Sequence, residues 1–246
     1  MRKHNLQTHS TLSDGSLEPR RLVQLAQQKN LEILGITDHA FTDKLPPTHQ
    51  ITSSLIQYLE DLREVQESLS ETSSFQLKIG IEIDVSKHYG INPMELPFSV
   101  LNGFDYILFE YVNTETEYWG TIGKRDIQDL LDIRTKLKVP IGLAHNDLQN
   151  NFQGEETRIA KILSNYDIFL ELNQSEWHPR RGAGRNTRDG QDYYLHFSQE
   201  LIQELLTHRV KVVIGTDSHT GESIGEINQV TQFIEEYKFQ LHEMVL

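Results

Sequence analysis

At 246 residues with 37% hydrophobic content, the chain is long enough for one sizeable core and short for two ordinary domains, so one domain over 1–246 is expected. A net charge of −13 argues against a nucleic-acid surface, which ordinarily carries a basic stripe. No run of about 18 apolar residues and no signal-peptide core occurs, so a soluble, cytoplasmic protein that meets no membrane is expected. Zero cysteines exclude disulfides and thiolate ligands, so any metal has to be held by imidazole and carboxylate, a donor set suited to zinc, manganese or iron.

In chain order, the first apolar stretch reaches Leu6 and leads to His9. Alternate residues of a strand share a face, so Asn5, Gln7 and His9 are expected to point one way and His4 and Thr8 the other. A first helix follows Asp14-Gly15-Ser16, with Ser16 as its cap and Pro19 in its first turn, where a missing N–H costs little. Ile33-Leu34-Gly35-Ile36 then ends abruptly in Thr37-Asp38-His39. Leu55, Leu59, Leu62, Val65 and Leu69 form a helical stripe within Thr48 to Ser70, and its apolar face has to cover a sheet. Further apolar runs lead to Glu82, to Phe109 and Glu110, to Ala144 and His145, to Glu171 and Asn173, and to Gly215-Thr216-Asp217-Ser218-His219. Helices fit Asp126 to Lys136, Glu156 to Leu163, Gln191 to Leu206 and Ile224 to Tyr237, while Lys87 to Leu101 and Gln174 to Gly190 read as loops that shape a pocket.

Strands ending near His9, Thr37, Glu82, Phe109, Ala144, Asn173 and Gly215 therefore alternate with helices, which calls for a parallel sheet with right-handed crossovers. An open doubly wound sheet collects ligands at one switch point, whereas here essentially every strand contributes a polar end. A closed barrel gathers all those ends on one rim. Four of the eleven histidines, His9, His39, His145 and His219, fall at separate strand ends, which reads as a hydrolytic metal site. His49, His88, His196, His208 and His242 lack carboxylate spacing and read as surface residues.

The segments His-Asn-Leu-Gln-Thr-His-Ser-Thr-Leu-Ser-Asp-Gly at 4 to 15, Ile-Thr-Asp-His at 36 to 39, Gly-Ile-Glu at 80 to 82, Ala-His-Asn-Asp at 144 to 147, Leu-Glu-Leu-Asn at 170 to 173 and Gly-Thr-Asp-Ser-His at 215 to 219 together resemble the PHP family, named for polymerase and histidinol phosphatase. The resemblance implies a distorted (β/α)7 TIM-like barrel with a two- or three-metal cluster that hydrolyses phosphate esters. Carried over by position, it implies that His9 and Asp217 hold one metal, that Glu82 bridges to a second bound also by His145, and that His39 and His219, with Asp14, hold a third. Glu82, His145 and Asp217 then form the catalytic set, Asn173 matches a polar position near the site, and Asp38 is expected to orient an imidazole. The chain departs from the family in two places. Gln7 stands where members have histidine, leaving a weak amide ligand, and Glu110 stands where a histidine often ends the fourth strand, offering a carboxylate in its place.

The resemblance implies a phosphomonoesterase, histidinol-phosphatase-like, in which a metal-bound hydroxide attacks a small phosphorylated metabolite. Arg180, Arg181 and Arg185, with Arg188 nearby, are candidates for gripping the phosphate bidentately or else face solvent, and His178 or Asp147 is a candidate leaving-group acid. Two rivals remain. One is an amidohydrolase-type C–N hydrolase, disfavoured because no strand ends in a lysine that could be carbamylated; the other is a barrel whose cluster has decayed into a metabolite-binding or regulatory module.

Overall fold

A computed structural model describes residues 2–41, 52–69, 74–86, 92–114, 126–178, 183–243 and 245. The elements are β1 (His4–Asn5), α1 (Pro19–Gln28), β2 (Ile33–Ile36), β3 (His39–Ala40), α2 (Thr52–Glu67), β4 (Gln76–Asp84), α3 (Phe98–Leu101), β5 (Tyr106–Glu110), α4 (Ile127–Arg134), β6 (Ile141–Leu143) and α5 (Leu148–Asn151). They continue with α6 (Glu156–Asn165), β7 (Ile168–Asn173), the short strands β8 (Trp177–His178), β9 (Ala183–Gly184), β10 (Thr187–Arg188) and β11 (Gln191–Asp192), then α7 (Gln199–Thr207), β12 (Lys211–Gly215), α8 (Asn228–Tyr237) and β13 (Gln240–Leu241).

The parallel strands run in the order β1-β2-β4-β5-β6-β7-β12. The curl brings β1 back to β12, where the Leu6 N–H donates to the Ile214 carbonyl at 2.8 Å and Thr8 bridges Ser218. The sheet is the expected distorted barrel, and the distortion has a visible cause. The edge of β12 is shared: β13 pairs with its first residues, Lys211 and Val212, and β1 meets its last ones. His4 helps to close this seam, because its Nε2 accepts the Ile214 N–H at 3.0 Å while Nδ1 donates to the Arg2 carbonyl at 3.0 Å. Burial holds this ring well below the usual histidine range, at about 4, so it stays neutral and keeps the lone pair that the seam needs.

Side-chain alternation sorts the core into two shells. Outside the sheet, Leu22 and Ala26 of α1, Leu55, Leu62 and Val65 of α2 and Val230 and Ile234 of α8 are buried in one continuous cluster with the outward strand residues. Inside lie Leu6, Ile33, Tyr106, Leu108, Phe169 and Val213. Tyr106 crosses the interior and its hydroxyl donates to the Leu6 carbonyl at 2.6 Å. Glycines make the room: a Cβ on Gly35 would lie 1.9 Å from the Tyr106 hydroxyl, and one on Gly80 2.6 Å from its ring.

Three expectations need correction. The first strand breaks after Asn5, because the Asn5 side chain accepts the Gln7 N–H at 3.2 Å and donates to Thr216 and Ile224, so Asn5 does not share a face with Gln7 and His9. Ser16 does not cap α1, which begins at Pro19 after Glu18; its N–H and hydroxyl both donate to the His219 carbonyl. The helix expected from Gln191 starts only at Gln199, where Ser198 accepts the Leu201 N–H. Of the span from Thr48 to Ser70, α2 covers Thr52–Glu67, and residues 48–51 and 70 lie outside the described set. No helix among the described residues is long and apolar enough to cross a membrane.

The glycine at the barrel floor gives a direct test. Gly35→Ala should destabilise the fold by about 1–3 kcal/mol through overpacking against Tyr106 and Leu6. Combined with Tyr106→Phe, which removes the clashing oxygen, it should cost less than the sum of the two single changes in urea unfolding. Strict additivity would count against this packing.

Candidate metal centre

The same alternation that fills the barrel loads its carboxyl rim. On β5 the inward series is Tyr106, Leu108, Glu110, and on β7 it is Phe169, Glu171, Asn173, so each inward row passes from apolar floor to polar rim within five residues. Glu82 reaches the same level from β4, below its final residue Asp84. His145 and Asp217 follow the ends of β6 and β12 and sit at positive φ, 28° and 50°, which turns their side chains off the strand direction.

These side chains converge. His9 Nε2 lies 2.8 Å from Asp217 Oδ1 and 3.4 Å from Glu82 Oε2. His39 Nδ1 lies 3.1 Å from Glu82 Oε2 and 3.5 Å from Glu110 Oε1. His145 Nε2 is 3.0 Å from Glu82 Oε1, and His219 Nε2 is 3.2 Å from Asp14 Oδ2. The rings of His39 and His219 both stack against His9, with centroids 4.4 and 4.3 Å away and 6.1 Å from each other. Among the described residues, three overlapping groups have ligand atoms close enough to share an ion: His9, Asp14, His39 and His219; His9, Glu82 and Asp217; and His39, Glu82 and Glu110.

The donor set fits a divalent cation. His9 Nδ1 and Nε2, Glu82 Oε2 and Asp217 Oδ1 are buried and find no hydrogen-bond partner among the described residues, although Nε2 and Oδ1 are in close contact. Buried polar atoms left unmatched cost a few kcal/mol each, and a shared cation removes that cost. His219 shows how a ligand is prepared: its Nδ1 donates to the Asp217 carbonyl at 2.9 Å, which leaves the Nε2 lone pair facing the cluster.

Charge is concentrated here. Burial, and then the neighbouring Glu110, push the Glu82 carboxyl up to about 8 despite His145 and His9. Burial opposes protonation of His145, but the hydrogen bond to Glu82 raises it to about 10. Burial likewise opposes His219, which Asp217 and Asp14 raise to about 9. Asp217 is buried too, yet His219 and His9 hold its carboxyl well below the usual range.

His9, Asp14, His39, Glu82, Glu110, His145, Asp217 and His219 are thus all brought together, and Gln7 joins them by donating to Glu82 Oε1 at 2.7 Å. Asn173 is present, with its amide protons given to Gln7 Oε1 and Glu171 Oε1. Asp38 holds no imidazole; its carboxylate takes the Ser10 N–H and the hydroxyls of Ser10 and Ser13, pinning the loop between His9 and Asp14. Arg185 Nε lies 3.8 Å from Glu176, and Arg188 is paired with Asp147 at 3.0 Å. Arg180, Arg181, His49 and His88 lie outside the described residues, as does the side chain of His178. His242 is fully buried against Phe169, not at the surface, and the His196 ring meets the Arg188 carbonyl. Glu171, a strand-end carboxylate in the sequence with no role assigned from it, accepts the His145 N–H at 2.6 Å. Glu176 and Asn186, described below, gave no spacing signal at all.

Fold and site define a class: a parallel α/β barrel whose carboxyl rim carries histidine and carboxylate groups that could hold metal ions. The family model of the PHP domain matches residues 5–175, and the chain belongs to the PHP family. Among solved structures it is similar to histidinol phosphate phosphatase from Lactococcus lactis, complexed with Zn, L-histidinol and phosphate, at 17% identity and a TM-score of 0.64 over 98% of this chain and 95% of that one. A xylose isomerase domain protein from Alicyclobacillus acidocaldarius aligns at 12% identity and a TM-score of 0.45, covering 96% of this chain and 99% of that one. Phospho-2-dehydro-3-deoxyheptonate aldolase from Thermotoga maritima aligns at 11% and 0.44, covering 98% and 72%. No curated protein matches the chain.

Metal uptake should release protons. Ligands bind metal deprotonated, whereas His219, raised to about 9, and Glu82, raised to about 8, hold protons at neutral pH. Affinity should therefore rise with pH through this interval and fall as pH drops below it. Calorimetric titration of metal-free protein with zinc in two buffers of different ionisation enthalpy checks the sign; identical apparent enthalpies in both would contradict it.

Proposed function

We propose that this protein is a metal-dependent phosphoesterase that hydrolyses a small phosphorylated metabolite, using two or three divalent ions of zinc, manganese or iron. The observation that carries the reading is the central place of Glu82, which meets His9 and His39 through Oε2 and His145 through Oε1 and belongs to two of the three overlapping groups. His9, Asp217, His39, Glu110, His219 and Asp14 would hold ions around it. Divalent ions bound there would supply acidified water and neutralise charge building on a phosphoryl oxygen.

The chain's own residues set the rest. Glu82 and Asp217 are the catalytic carboxylates in this reading, and His145 holds or moves a proton at Nε2 against Glu82. Arg185 lies beside the His219 turn and Arg188 beside the His145 loop, so the segment after β7 delivers cations to the two flanks of the rim, where a phosphate would be gripped. Arg180 and Arg181 belong to the same segment of sequence.

Purified protein should carry transition metal by elemental analysis and hydrolyse at least one member of a phosphomonoester panel. Histidinol phosphate is the first to try, because the similar Lactococcus lactis protein was complexed with L-histidinol and phosphate. Absence of metal together with inactivity under added manganese or zinc would overturn the reading. Asp217→Asn should lower kcat/KM by at least about 100-fold, as expected when a group facing the reacting centre is neutralised.

Gln7 separates an active variant site from a decayed one. Its amide already spans Glu82 and Asn173, so it fills its place without a ligand nitrogen. Gln7→His should change kcat/KM by less than about tenfold, since the ligands around Glu82 are complete without it. A nearly inert parent rescued by about 100-fold or more would instead mark a decayed cluster.

A further inference from the structure

Asp217 and His219 stand on the turn after β12, whose own backbone supplies the Asp217 carbonyl that His219 Nδ1 meets at 2.9 Å. Asp217 adopts φ +50°, a left-handed conformation uncommon for residues other than glycine. Further contacts come from another part of the chain. Asn186 Nδ2 donates to Asp217 Oδ2 at 2.8 Å, which leaves Oδ1 directed to His9 Nε2. Glu176 Oε2 accepts the His219 N–H at 2.9 Å, and Glu176 Oε1 accepts the Thr220 N–H at 3.2 Å as well as the Ser218 and Thr220 hydroxyls.

Glu176 is 4% exposed, so burying its charge has to be matched by these donors. It is itself fixed by its N–H to the Thr216 carbonyl at 3.2 Å, an extension of the ladder between β7 and β12. Asn186 is tied back to the same place: its N–H and carbonyl both meet the Ser175 hydroxyl, and the Arg185 N–H donates to the Glu176 carbonyl.

We infer that Glu176 and Asn186 are positioning residues that hold His219 and Asp217 in metal-binding orientation from the segment that follows β7. The inference rests on the metal-centre reading above. It adds that the segment expected to receive substrate also sets two of the ligands, so that changes in it reach the metal without any ligand being altered. Asn186 acts through one carboxylate oxygen of Asp217; Glu176 acts through the backbone of the His219 turn.

The test is titration of the metal-free full chain with cobalt(II), followed by its visible absorption. Asn186→Ala and Glu176→Gln should each weaken cobalt binding about 10–100-fold, the usual cost of removing a group that orients a ligand, and shift the visible bands. Thr187→Ala is the control: among the described residues its hydroxyl donates to the Gly184 carbonyl in the same segment, and it should leave binding and bands unchanged. Asn186 is only partly buried, so Asn186→Ala should melt with the parent in the absence of metal, and its cobalt affinity carries the inference should Glu176→Gln fail to fold. Parental affinity and bands in Asn186→Ala overturn the Asn186 role, and the same result in a folded Glu176→Gln overturns the other. A parent that binds cobalt but hydrolyses no phosphoester refutes the proposed function while the variants still decide this inference; a parent that binds no cobalt overturns both.

Discussion

The structure turns on one buried carboxylate. Glu82 is fully buried at the carboxyl rim, yet its two oxygens meet three imidazoles and the Gln7 amide. A charge removed from water to that degree is costly unless surrounded by matched donors or a cation, and the barrel supplies both possibilities at a single point. The register of β4 follows from that requirement. A shift of one residue on β4 would bring Ile81 or Ile83 to the rim and send Glu82 into the apolar layer under the helices.

The barrel's seam serves the same centre. Seven strands have to return β1 to β12, and β13 takes the first part of the β12 edge that β1 would otherwise occupy. The chain copes by using a side chain as backbone: the neutral His4 ring accepts the Ile214 N–H where a strand carbonyl would. Past that point, Asn5 breaks the strand and the Thr8 to Ser218 bridge resumes the pairing. The outcome is that His9 arrives opposite Asp217 although the strand behind it has only two regular residues. A histidine that takes no part in the site thus aligns one that does.

Much of this was legible in the sequence, for reasons that explain what was not. The strand ends at Thr37, Glu82, Glu110, His145, Asn173 and Asp217 could be read because an apolar run of β-branched residues stops at each one, and parallel strands in a barrel all stop on the same rim. Residues whose role is set by the partner they meet left no such mark. Ser16 looked like a helix cap because serine before a helix usually is one, but the fold places the His219 carbonyl within its reach. Asp38 next to His39 looked like its support; the strand's alternation turns it outward to Ser10 and Ser13. Glu176 and Asn186 lie in a loop whose course no periodicity encodes, so their contacts to the His219 turn and to Asp217 appear only once the chain is folded.

The two departures from the family pattern both act on the groups around Glu82. At Glu110 a charged oxygen donor stands where the family pattern implies a neutral nitrogen donor, and its carboxylate lies within reach of an ion shared with His39 and Glu82. At Gln7 a nitrogen donor is exchanged for an amide that donates to Glu82 and accepts from Asn173, taking up one of the lone pairs a cation would otherwise share. Both changes make the donor set poorer in nitrogen and the one at Glu110 makes it richer in oxygen, and oxygen donors favour harder ions over zinc. The added carboxylate also lies close enough to Glu82 to raise its proton affinity, which is why burial and Glu110 together bring that group to about 8. Charge added at one strand end is therefore felt at the centre, and a cation that neutralises Glu82 and Glu110 at once relieves a repulsion that a histidine at 110 would never have created.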